Sequence, residues 1–208
     1  IDLVNPAGQP ERMQLVVRGY NDGFAFCYKI PDGKGPCVNV QSELTAYNFA
    51  GDYTAWFYNG ENHNIGPEKL TETDGTRLPV MTVKAGDKHY MAIHEACLET
   101  GAPLVLQSKG GESLFSVASK PTSLSPGYTS AWRVVLYGTT PGVLTDSHLL
   151  ELLNPDPDSR YDFSWVKPGL AVWDWRINGA VWDGFTYGMS YPSWVRTVSY
   201  THLTLPTI

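Results

Sequence analysis

The sequence predicts an all-β protein, an antiparallel β-sandwich. Charged residues make up only 17% of the 208 residues, aromatic residues reach 12%, and there are 20 glycines and 15 prolines. Few charges with many aromatic and turn-forming residues favour a β domain over a helical bundle. Short apolar segments separated by turn signals have the spacing typical of a sandwich. A chain of this length can bury one core and part of a second unit.

The first hairpin shows the pattern most clearly. Residues 13–20 predict a strand, Asn21-Asp22-Gly23 is a turn signal, and residues 24–30 predict the returning strand. Because successive side chains of a strand point to opposite faces, the aromatic residues of the second strand share one face. We therefore expect a set of residues in or near the core: Phe24, Phe26, Tyr28, Trp132 and Val134.

The remaining elements follow in chain order. Apolar and alternating segments predict strands at residues 38–45, 78–84, 89–95, 104–107, 114–117 and 132–137. The segment 148–153 is compatible with a helix or a strand, and the family resemblance described below favours a strand. Residues 59–69 and 119–127 are interpreted as loops, and Asn154-Pro155-Asp156-Pro157-Asp158 as a linker.

Composition excludes several classes of protein. The net charge is −6 and no cluster of Lys and Arg is present, which argues against nucleic-acid binding. No apolar run approaches the 18 residues that a membrane span requires. Motifs of serine hydrolases, phosphate-binding loops and zinc proteases are not found. Cys27, Cys37 and Cys97 lack metal-site spacing, so they are interpreted as free thiols, with a Cys27–Cys37 bridge as the alternative. Since the sequence begins at Ile1, either a leader was removed or the N-terminus is truncated.

The segment from Phe163 to Tyr187 holds four of the seven tryptophans. Indole rings can stack on sugars, although core packing is an equally good interpretation of any one of them. Three motifs here are similar to glycoside hydrolase family 97: Ser164-Trp165-Val166-Lys167-Pro168-Gly169, Trp173-Asp174-Trp175 and Asp183-Gly184-Phe185-Thr186-Tyr187-Gly188. Residues 18–26, 51–57 and 90–96 also resemble that family.

The resemblance implies a domain organisation. Residues 1–165 would form an N-terminal β-sandwich of the galactose-mutarotase-like kind, and residues 166–197 would begin an incomplete (β/α)8 barrel on which the sandwich packs. The barrel's first strand would lie in this second segment. Residues 198–208 do not continue the barrel pattern and resemble a translated sequencing-adapter peptide, so this tail is excluded from the prediction of the fold.

The resemblance also implies a function. Family 97 enzymes hydrolyse α-glycosidic bonds of oligosaccharides, such as α-glucosides or α-galactosides, with carboxylates and a bound calcium. In the motif Tyr90-Met91-Ala92-Ile93-His94-Glu95-Ala96, Glu95 matches the calcium ligand that the sandwich supplies. Asp174 and Trp175 would lie at the active-site end of the barrel and contact substrate. The family further implies a periplasmic or extracellular location.

No residue of this chain is assigned as catalytic. Glycoside hydrolysis needs two carboxylates that flank the bond, and most of the family's carboxylates lie on later barrel strands. The fragment is therefore expected to be inactive and to bind calcium weakly or not at all. His94 alternates to the face opposite Glu95 and is interpreted as a hydrogen-bonded structural residue. Two alternatives remain: a stand-alone carbohydrate-binding sandwich without catalysis, and a structural sandwich of a larger surface protein.

Overall fold

A computed structural model describes residues 1–4, 10–58, 64–99 and 102–167. The chain divides into two compact units, Ile1–Asp156 and Pro157–Ile208, and all the strands and helices described below belong to the first. The predicted barrel strand, Asp174, Trp175 and the tail 198–208 lie outside the described residues. The predicted domain boundaries therefore stay predictions.

The described residues contain thirteen strands, a short 3-10 helix and two short α-helices. The strands are β1 Asp2–Val4, β2 Pro10–Tyr20, β3 Gly23–Lys29, β4 Val38–Val40, β5 Ala46–Asn48, β6 Thr54–Tyr58, β7 Asn64–Lys69, β8 Asp74–Lys84, β9 Tyr90–Ala96, β10 Leu106–Lys109, β11 Leu114–Val117, β12 Thr122–Leu124 and β13 Trp132–Gly138. The 3-10 helix is Leu70–Glu72, α1 is Pro141–Asp146 and α2 is Leu149–Leu152.

Most of these strands form a single curled sheet. Its order is β1-β2-β3-β13-β9-β8-β10-β11-β5, with β6 and β7 joined to it through β8. All the strand pairs are antiparallel, and β4 pairs with β12 in a separate ribbon. The N-terminal half of β8 pairs with β10 and its C-terminal half with β9, so this long strand connects the two parts of the sheet. The predicted all-β sandwich is confirmed.

Strand β9 lies between two hydrophobic clusters. Its side chains point alternately into the two clusters: Ile93 packs in the first, and Ala92 and Ala96 pack in the second. The first cluster lies among β6, β8, β10 and β11 and includes Phe57, Met81, Leu106 and Phe115. The second lies among β3, β13 and α2 and includes Cys27, Trp132, Val134 and Leu149. A strand buried on both faces is a rigid support for a functional side chain.

The aromatic row of β3 does not fill the core as expected. Ala25 and Cys27 are the buried side chains of this strand, Phe26 and Tyr28 are half-buried, and Phe24 is 45% exposed. The cluster that includes α2 packs against the face with the small residues, and the aromatic face borders a shallow open groove. The expectation is wrong for Phe24, whereas Trp132 and Val134 are buried as predicted.

The preferred strand at 148–153 is also wrong, because this segment contains helix α2. Leu149 and Leu153 are both buried, and four residues separate side chains on one face of a helix. The Ser147 hydroxyl accepts the Leu149 N–H, and the Asn154 amide donates to the Leu150 carbonyl oxygen at 2.7 Å. Side chains that flank this one-turn helix thus hydrogen-bond backbone groups that would otherwise lack partners at its two ends.

Two predicted loops contain strands. Residues 64–69 form β7, which pairs with β6, and residues 122–124 form β12. The segment Pro141–Asp146 is helix α1, with Pro141 in its first turn, where a missing N–H costs nothing. The three cysteines are free, Cys27 being buried and Cys37 exposed. Among the described residues no helix is long and apolar enough to cross a membrane.

Candidate functional site

Glu95 lies near the end of β9 on the face that carries Ile93. Its side chain is 13% exposed. The Leu104 N–H donates to Glu95 Oε2 at 2.7 Å, and Arg133 Nη1 lies 3.6 Å from the same oxygen. Among the described residues, no hydrogen bond reaches Oε1. Within the described part of the chain, Glu95 is therefore held through Oε2.

Arg133 connects Glu95 to a second carboxylate. It is the direct cross-strand partner of Glu95, since β13 and β9 are paired in register. Its Nε and Nη2 donate to the two oxygens of Glu43 at 3.0 and 2.7 Å. Only 4% of the Arg133 side chain is exposed. Burial alone would lower the pKa of Arg133, but the hydrogen bonds and charge of Glu43 outweigh it and raise that pKa.

The carboxylates and Arg133 form a cluster with Tyr47. Tyr47 Oη is buried and has no hydrogen-bond partner among the described residues. Burial raises the pKa of Tyr47, partly opposed by the positive charge of Arg133, so the phenol is neutral at physiological pH. Glu43 and Arg133 also line an open cavity of about 1260 Å³, together with Tyr28 and Tyr128. Two members of the cluster, Glu43 and Arg133, thus lie at the wall of this open cavity.

His94 lies on the opposite face of β9, as predicted. Its Nδ1 accepts the backbone N–H of Glu95 at 2.7 Å, so this nitrogen carries no proton. Burial lowers the pKa of His94, and the negative charge of Glu95 only partly opposes this. A neutral His94 therefore fixes the backbone of the residue that follows it.

The lowered pKa of His94 predicts a pH dependence of stability. A group whose pKa is lower in the folded state contributes stability above its unfolded pKa, ordinarily 6.5, and loses it as pH falls through the folded value. We expect the free energy of unfolding of the wild type to fall below pH 6.5 more steeply than that of His94→Gln. Urea unfolding between pH 7.5 and 5 measures both.

His148→Gln is the matched control for that measurement. His148 is exposed, and the hydrogen bond that it donates to Glu151 raises its pKa, which gives a dependence of opposite sign. Parallel pH profiles for the wild type and His94→Gln would contradict the buried, neutral state of His94.

The candidate calcium site fits the structure as one ligand. A carboxylate oxygen on a rigid strand suits Ca²⁺, which prefers six to eight oxygen ligands. The described residues include no group of three or more His, Cys, Asp or Glu side chains that could hold a metal ion. Glu95 can thus contribute a single carboxylate ligand, and it would need partners from outside the described residues. Asp174 and Trp175, the predicted substrate contacts, lie among the residues that the structure does not describe.

The sequence profile of the family described as "Glycosyl-hydrolase 97 N-terminal" matches residues 2–155. This match covers well over half of the chain. The chain belongs to glycoside hydrolase family 97. The matched range coincides almost completely with the first compact unit, Ile1–Asp156, which carries Glu95, Arg133 and Glu43.

Two curated relatives of this family 97 domain carry names of enzymes. The chain is 26% identical over 226 residues to a retaining alpha-galactosidase of Bacteroides thetaiotaomicron, covering 88% of this chain and 34% of the relative. It is 29% identical over 188 residues to a probable retaining alpha-galactosidase of Streptomyces bingchenggensis, covering 81% of this chain and 27% of the relative. The chain thus spans about a third or less of each.

Solved structures of family 97 enzymes share the fold. One from a Pseudoalteromonas strain, in complex with acarbose, has a TM-score of 0.65 and 23% identity, covering 81% of this chain and 27% of the other. A variant of the same enzyme in complex with panose gives the same values. At this identity the likeness shows the fold alone.

The sequence motif pointed to Glu95 as a candidate, and that assignment stays a prediction; the neighbouring Arg133, Glu43 and Tyr47 were not predicted. A usable signal was present for Arg133. It is the one charged residue of β13, Trp-Arg-Val-Val-Leu-Tyr-Gly, and a charge in such an apolar strand requires a partner. The sequence offers no comparable signal for Glu43, which lies 90 positions away from Arg133.

Proposed function

We propose that this chain is the sandwich domain of a calcium-dependent α-glycoside hydrolase, in which Glu95 supplies one calcium ligand. The observation that carries the proposal is the family match over residues 2–155, combined with a Glu95 carboxylate held through one oxygen. Because the described residues include no group of three or more His, Cys, Asp or Glu side chains that could hold a metal ion, we propose that the other ligands come from a catalytic barrel on which the sandwich packs.

The substrate class follows from the relatives. Both curated relatives are named as retaining alpha-galactosidases, and the solved enzymes are complexed with oligosaccharides. We therefore propose an oligosaccharide substrate with a terminal α-galactoside, cleaved with retention, and an α-glucoside as the alternative. Retention would require two carboxylates about 5 Å apart, one acting as nucleophile and the other as acid and base. Hydrolysis of this kind would place the enzyme in the periplasm or outside the cell.

The domain's own residues would contribute structure and charge to this reaction. Calcium, when bound, would stabilise negative charge that develops during cleavage of the glycosidic bond. Glu95 would orient one oxygen toward it, the Leu104 N–H and Arg133 would hold the other oxygen, and His94 would fix the Glu95 backbone.

The substrate proposal is tested on the full-length protein that carries this domain. We expect p-nitrophenyl α-galactoside to be hydrolysed at least about tenfold faster, in kcat/KM, than the α-glucoside, a difference of about 1.4 kcal/mol in transition-state binding. Following anomeric configuration by NMR would show α-galactose as the first product. Preference for the α-glucoside would select the alternative. Absence of hydrolysis, with sugar binding retained, would favour a carbohydrate-binding sandwich without catalysis.

A further inference from the structure

We infer that Arg133 is a positioning residue: it holds Oε2 of Glu95 so that Oε1 is presented to the calcium. This inference rests on the proposed function, in which Glu95 is a calcium ligand. Nothing in the sequence motif or in the relatives' names assigns this part to Arg133.

The Glu95 carboxylate is held through one of its two oxygens. Glu95 Oε2 receives the Leu104 N–H at 2.7 Å and lies 3.6 Å from Arg133 Nη1. The first contact is a hydrogen bond from the segment before β10, and the second is an ion-pair contact from β13. Together they restrict rotation of the carboxylate about the last torsion of the side chain. The remaining oxygen then points in one direction before any metal arrives, which lowers the entropic cost of coordination.

The guanidinium of Arg133 is itself held in place by Glu43. Its guanidinium makes two short hydrogen bonds to Glu43, at 3.0 and 2.7 Å, and only 4% of the side chain is exposed. A planar guanidinium can bind one carboxylate through two nitrogens and still present the third nitrogen to another. Arg133 Nη1 has no hydrogen-bond partner among the described residues, which leaves it oriented toward Glu95 alone.

The net charge of Glu43, Glu95 and Arg133 decides whether Arg133 would repel a cation. A positive residue beside a calcium ligand would ordinarily repel the cation. Here two carboxylates, Glu43 and Glu95, contact one guanidinium, so the formal charge of the three side chains is negative. Glu43 thus neutralises Arg133, and Arg133 can position Glu95 without opposing cation binding. A lysine would keep the charge but could not reproduce the two-sided contact.

Substituting the arginine of any partly buried ion pair could weaken calcium binding by disturbing the fold. A second ion pair of the domain serves as the control for this effect. Arg77 pairs with Glu68 at 3.5 Å, with side chains 17% and 22% exposed. Neither residue contacts Glu95 in any bond or ion pair of the described residues. Arg77→Lys therefore reports the general effect of weakening a partly buried ion pair of the sandwich.

The experiment measures the Kd for calcium by titration calorimetry on the full-length protein after removal of calcium with a chelator. The variants are Arg133→Lys, Glu95→Gln, the double variant and Arg77→Lys, each titrated to millimolar calcium so that weak binding remains measurable. We expect Arg133→Lys to weaken calcium binding by about tenfold, the lower end for a residue that supports a ligand. It should have little further effect when Glu95 is already Gln, and Arg77→Lys should bind calcium as the wild type does.

Each outcome has a defined meaning. Unchanged or tighter calcium binding by Arg133→Lys, with weak binding by Glu95→Gln, would overturn the positioning role and leave the proposed function intact. The same loss with Arg133→Lys in the Glu95→Gln background would also overturn it, because Arg133 would not be acting through Glu95. Wild-type affinity in Glu95→Gln would overturn the proposed function itself.

A second variant keeps the inference testable if Arg133→Lys does not fold. Glu43→Gln keeps the hydrogen-bonding shape at position 43 but removes the charge that neutralises Arg133. The guanidinium would then pair more strongly with Glu95 and oppose the cation, so we expect calcium affinity several-fold below that of the wild type. An unchanged Kd for Glu43→Gln would overturn the inference.

Discussion

Glu95→Gln in the full-length protein should bind calcium about 100-fold more weakly than the wild type and should lose hydrolytic activity in parallel. The expected loss exceeds that for a supporting residue because the substitution removes a ligand charge directly. Gln keeps the shape of the side chain and can still accept the Leu104 N–H, so the fold should be little affected. Titration calorimetry and activity measured against calcium concentration test both effects.

A matched substitution distinguishes the loss of a calcium ligand from the loss of one negative charge. Glu112→Gln makes the same change in an exposed residue after the Gly110-Gly111 turn, and it should leave the calcium Kd unchanged. Unfolding temperatures measured with a chelator present should be similar for the two variants and the wild type. If Glu95→Gln retained the calcium dependence of the wild type, Glu95 would not be a ligand.

The sequence predicted the sandwich because its strands alternate and its turns carry Gly, Asn and Pro. The errors occur where a local pattern is compatible with two structures. The leucine pattern of this segment is compatible with a buried strand and with one helical turn: Leu149, Leu150 and Leu153. Packing against the face that carries Ala25 and Cys27 favours the helix. The aromatic alternation of β3 was correct, but alternation does not specify which of the two faces is covered.

The candidate site was predictable only in part for a related reason. Glu95 lies in a short motif, which can be recognised from consecutive residues. Its partner Arg133 comes from another strand, and Glu43 comes from a loop 90 positions before Arg133. The register of β13 against β9 brings the first two together, and a register between distant strands is set by the whole sheet. A cluster of this kind becomes visible only in the fold.

The isolated chain of residues 1–208 should show no glycosidase activity, many orders of magnitude less than the full-length enzyme proposed above. Hydrolysis of a glycoside requires an acid and a second carboxylate on either side of the bond, and each contributes a large rate factor. The two carboxylates of the candidate site, Glu43 and Glu95, both contact the guanidinium of Arg133. A sugar cannot lie between them, because the arginine already does.

The measurement compares release of nitrophenol from the α-galactoside and the α-glucoside by the isolated chain and by its Glu95→Ala variant. Both should be equal to the uncatalysed rate, with calcium present or absent, because a single calcium ligand cannot assemble the site. The full-length protein, prepared and assayed in the same way, shows that the assay detects activity. Hydrolysis by the isolated chain that exceeds the Glu95→Ala rate would mean that residues 1–208 contain a complete catalytic pair, and the division of labour between sandwich and barrel would have to be abandoned.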